Sequence, residues 1–116
     1  MITEEELTKE FIAIVDRYYP KTGELLRHCY VKIITMHWGK PPRRVRYIGI
    51  YCPETLVSSI KADLDVLWDI AENMGLVQVI CRDANRLLRD PLSKLKQSDP
   101  RFWLELHWLM RDDAMR

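Results

Sequence analysis

The chain has 116 residues, of which 47% are apolar and 30% charged. That is material for one domain with its own core, over residues 1–116, and it excludes a disordered tail, a fibre and a membrane protein. Eighteen Lys and Arg against seventeen Asp and Glu leave a net charge of +1, far below the excess of a dedicated nucleic-acid binder and too small for self-repulsion to oppose association.

Thr3 and Glu6 have the spacing of a capping box, and Glu4, Glu5 and Glu6 suit the positive end of a helix dipole. Leu7, Phe11, Ile14, Val15 and Tyr18 then form one apolar stripe, so a first helix is expected from Thr3 to about Tyr19, where Pro20 stops it. Residues 25–38 fit two patterns. Leu25, Leu26, Cys29, Tyr30, Ile33 and Ile34 have helical spacing, whereas the β-branched and aromatic content from Tyr30 to Trp38 favours a strand. After the break at Gly39-Lys40-Pro41-Pro42, residues 43–51 read as a strand that needs a neighbour. A hairpin is therefore favoured, with a helix over 22–37 as the alternative.

Residues 54–74 read as one long helix ended by Gly75. Val57, Ile60, Leu64, Leu67, Ala71 and Met74, widened by Leu56, Val66, Trp68 and Ile70, give it a broad apolar arc, with Lys61, Asp65, Asp69 and Glu72 on the remaining face. Leu76 to Cys81 is a third strand. Asp83 caps a helical turn through Leu88. Asp90-Pro91 and Asp99-Pro100 each pair an N-cap with Pro at the first helical position, opening a short helix near 91–97 and a final one near 100–113. The fold class is thus α+β in the order α-β-β-α-β-α-α. A small sheet of about three strands, hairpin plus one, packs against a central helix, with helices at both termini.

Charge is uneven along the chain. Residues 1–20 and 52–75 are net acidic, and 21–51 strongly basic. Lys40, Arg43, Arg44 and Arg46 concentrate the positive charge at the hairpin tip, where guanidinium groups suit phosphate or carboxylate, and Trp38 and Tyr47 suit base stacking. The same charges also suit a solvated strand end that resists edge aggregation. On the final helix Phe102, Trp103, Leu106, Leu109 and Met110 make a core face. Leu104 and Trp108 point the other way, near Arg101 and Arg111, and form a candidate interface. Asp63 falls inside the apolar arc of the long helix, where a carboxylate needs a partner or serves as an acid or base.

Residues 54–79 resemble the recognition helix and first wing strand of winged-helix regulators. That resemblance would set Asp63, Asp65, Asp69 and Glu72 against phosphates, which repel them. No nucleotide-binding glycine loop or nucleophile elbow is present. His28, His37, His107 and the three cysteines Cys29, Cys52 and Cys81 lack metal-ligand spacing, so no metal and no cofactor is expected. The cysteines, odd in number and without a C-x-x-C pair, read as reduced thiols of a cytoplasmic protein. The acidic start does not read as a signal peptide, and no apolar run reaches the roughly 18 residues of a membrane span. The expected function is that of a non-enzymatic protein-interaction or regulatory accessory domain, self-associating or bound to another protein. Nucleic-acid binding through residues 40–46 and a small enzyme built on Asp63 are the alternatives.

Overall fold

The computed structural model describes residues 2–90 and 94–114. Its elements follow the expected α+β order. Helix α1 (Glu4–Tyr18) starts at the anticipated capping box: the Glu6 N–H donates to Thr3 Oγ1 at 3.1 Å, and the Thr3 N–H to Glu6 Oε2 at 3.4 Å. Pro20 does end this helix, but it also opens α2 (Pro20–Leu26), a helix that is not among the expected elements. Proline is well suited to a first helical position, since its missing N–H would be unpaired there anyway. Gly23 lets α2 sit directly on α1: a Cβ there would lie 2.9 Å from the Asp16 Cα.

Strands β1 (Tyr30–Trp38) and β2 (Arg43–Cys52) form the hairpin, so the strand reading of residues 30–38 holds. Their antiparallel register pairs Tyr30 with Tyr51, Ile33 with Ile48 and Trp38 with Arg43. The expected long helix is interrupted. A 3-10 turn (Glu54–Leu56) precedes α3 (Val57–Ala62), and α4 (Leu64–Asn73) begins only after Asp63, whose φ of −102° and ψ of 9° leave the helical region. Trp68, assigned to the apolar arc, is 41% exposed instead. Despite the break, Val57, Ile60, Leu64, Leu67, Ile70, Ala71 and Met74 of the two segments pack into one core.

The stop at Gly75 is as expected. Its φ is +80°, and the Gly75 and Leu76 N–H groups return to the carbonyls of Glu72 and Ala71 in a Schellman arrangement. Strand β3 (Val79–Asp83) lies two to three residues later than read from sequence and pairs in parallel with β2, giving the order β1-β2-β3. A parallel neighbour requires a crossover, and α3 and α4 supply it. The strand then leads straight into α5 (Ala84–Arg89) instead of turning back as a wing. Asp83 caps α5 as anticipated, accepting from the Arg86 N–H at 3.0 Å. Helix α6 (Leu95–Ser98) is shorter than the expected 91–97, and residues 91–93 lie outside the described part. Helix α7 (Pro100–Ala114) is capped by Asp99, which accepts from the Phe102 N–H at 3.2 Å.

The pleat divides the core in two. Residues on one sheet face, among them Ile33, Ile48 and Ile50, pack with Phe11, Val15, Ile60, Leu67 and Ala71 of the α1–α4 layer. On the other face Tyr30 and Tyr51 receive Phe102 of α7, each with ring centroids 4.9 Å away, and Leu106, Met110 and Ala84 complete a smaller core. Each large side chain buried in this way contributes about 1.5–3 kcal/mol.

Candidate functional site

The hairpin assembles part of the predicted basic cluster. Register sets Arg43 opposite Trp38, Arg44 opposite His37 and Arg46 opposite Thr35. Alternation therefore puts Arg43 and Trp38 on the face that carries α7, and Arg44 and Arg46 on the other. Lys40, Arg43 and Arg44 are exposed, and among the described residues none of them forms an ion pair. Arg46 is set back from them, half-buried, with its Nε buried and unpartnered. Trp38 is 71% exposed. Along the same face Ile34 opposes Tyr47 and Met36 opposes Val45, and these four belong to neither core.

Helix α7 presents the predicted outer face. Trp108 is 60% and Leu104 42% exposed, one helical turn apart. Arg111 is exposed near them. Arg101 is engaged: its Nε donates to Glu105 Oε1 at 3.3 Å, while Glu105 Oε2 accepts from the Tyr30 hydroxyl at 2.7 Å. Burial and that carboxylate push the Tyr30 hydroxyl pKa up to about 12. Beside this face, Trp103 stacks on His107 with Lys96 over its indole.

Asp63 is placed differently from expectation. It is half-buried at the break between α3 and α4, and its Oδ2 accepts from the Thr22 hydroxyl at 2.9 Å. Thr22 is itself buried, so the bond satisfies both groups and ties α2 to the crossover. The partner that a carboxylate in this position needs is supplied by Thr22.

The acidic residues of α4 contribute to something that periodicity alone does not reveal. Between α1 and α4 runs an open groove of about 820 Å³, floored by apolar side chains including Leu7, Ile14, Ile70 and Met74, with Glu10, Asp69 and Glu72 along it. The α4 strip was visible in the sequence; the groove needs α1 beside it.

The cysteines converge from three segments. Cys52 and Cys81 have their sulfurs 3.4 Å apart, and Cys29 is buried in the same core. The hydrogen bond with Cys29, together with burial, pushes the Cys52 thiol up; the hydrogen bond with Cys52, then burial, pushes Cys81 up. Such thiols stay protonated and unreactive. Among the described residues no three His, Cys, Asp or Glu side chains are placed to hold a metal ion. His28, His37 and His107 stand on separate segments. No described helix is long and apolar enough to cross a membrane. The chain matches no family model, no curated protein and no solved structure at a significant level.

Proposed function

We propose that this chain is a non-enzymatic protein-interaction domain that associates with further copies of itself, with the outer face of α7 as one contact. The observation that carries this reading is the exposed Leu104–Trp108 pair on a helix whose opposite face is already buried. Tryptophan and arginine dominate the energetics of protein interfaces, and here Trp108 has Arg111 near it. The near-neutral net charge adds no long-range barrier to self-association.

Sedimentation or light scattering of the wild type and of Trp108→Ala over a concentration series tests the reading. The expected result is an associating wild type whose dissociation constant rises at least about tenfold in the variant. A wild type that stays monomeric at the highest attainable concentration overturns it.

A further inference from the structure

We propose that the basic tip of the β1–β2 hairpin docks into the acidic groove between α1 and α4 of a second copy, and that the two copies do so reciprocally about a two-fold axis. This rests on the self-association read above but not on the α7 face. The groove has an apolar floor and three carboxylates, Glu10, Asp69 and Glu72, none of which is in an ion pair among the described residues. The tip offers the complement: unpaired Lys40, Arg43 and Arg44, with Arg43 in register with the exposed Trp38 and Arg44 on the opposite face. Three free cations with an aromatic side chain thus stand on the same molecule as three free carboxylates over an apolar floor. Opposite charges steer the encounter, and the apolar contact holds it.

The second copy is favoured over a foreign partner by the layout of the two surfaces. Met74 lines the near end of the groove, and the next residue, Gly75, lies in a hollow shared with Arg44 and Arg46. Strand β2 and the end of the crossover are joined there, the Val77 N–H donating to the Arg46 carbonyl at 2.9 Å. The Arg44–Arg46 stretch of β2, next to the tip, and the groove are therefore neighbours, and a two-fold axis beside them brings both contacts together at once. Such an arrangement closes as a dimer instead of growing into a fibre.

A charge swap tests this. Arg43, Arg44, Asp69 and Glu72 are all exposed, so reversing them leaves the core intact, and thermal unfolding followed by circular dichroism checks it. The wild type is expected to dimerise more weakly as salt is raised. Arg43→Glu/Arg44→Glu and Asp69→Lys/Glu72→Lys are each expected to weaken the dimer at least about tenfold, since like charges then face each other. Mixed one to one, the two variants restore it, because both contacts are again of opposite sign. A mixture that stays monomeric overturns the proposal, as does a wild-type dimer that neither reversal weakens. If Trp108→Ala alone dissociates that dimer, the α7 reading stands without this one. If the reversals dissociate it and Trp108→Ala does not, the hairpin contact stands and the α7 contact falls. A tip that shifts an oligonucleotide in a gel while the protein remains monomeric also overturns it.

Discussion

The sulfur atoms of Cys52 and Cys81 stand 3.4 Å apart across the parallel β2–β3 pair, with Cys52 fully buried. Both thiols are held above the ordinary value of 9.0 by hydrogen bonding to a neighbouring sulfur and by burial. Alkylation requires thiolate, so iodoacetamide should modify these two sites far more slowly in the folded chain than in denaturant. At about pH 8 the native rate is expected to be at least about tenfold lower for each. Mass spectrometry after timed quenching measures it, and equal rates in both states would contradict this account.

The Thr22–Asp63 bond fastens α2 to the start of α4. Thr22→Val keeps the shape but leaves a half-buried carboxylate without its donor, at an expected cost of about 1–3 kcal/mol. Asp63→Ala should cost a similar amount. A double-mutant cycle in urea is expected to show coupling of about 0.5–3 kcal/mol between them. Independent, additive effects would mean that the bond does not form.

Tyr30 makes stability depend on alkaline pH. Its hydroxyl is raised from 10.0 to about 12, and burial raises Tyr51 as well. Below about pH 10 folded and unfolded chains are both protonated there, and nothing is lost. Above it the unfolded chain ionises first, so stability falls as pH rises toward the folded values, by at most about 1.4 kcal/mol per pH unit per group. Tyr30→Phe should flatten part of that fall and, near neutral pH, cost about 1 kcal/mol for the bond to Glu105. Equilibrium unfolding from pH 8 to about 11.5 tests both.

Gly49 is opposite Lys32 and under the Tyr51 ring. A Cβ at this position would approach that ring to 3.0 Å. Gly49→Ala pushes the ring by a few tenths of an ångström against its edge contact with Phe102, at an expected cost of about 1–3 kcal/mol. Chemical denaturation gives the cost, and near-ultraviolet circular dichroism should report the altered aromatic packing.

Local chemistry made much of this legible. The Thr3–Glu6 box, the Gly75 stop and the Asp83 and Asp99 caps are all short-range bonds written in neighbouring residues. The exposed Leu104–Trp108 pair follows from the same periodicity. The features that escaped depend on residues far apart. Nothing near Asp63 announces the helix break; its partner Thr22 is 41 positions away. The groove exists only because α1 lies beside α4, and the split of the basic tip follows from a register that one strand alone does not specify.

Strand β2 supplies Ile48 and Ile50 to one core and Tyr51 to the other, whereas α7 is anchored through the smaller core alone. The molecule therefore has a ranking of local opening. Helix α7 can detach while the crossover and hairpin stay closed, so its amides should exchange with solvent before those of Ile48 and Ile50. A contact made through Trp108 thus pulls on a helix packed in the smaller core. A contact made through the hairpin bears on the strand that opens last.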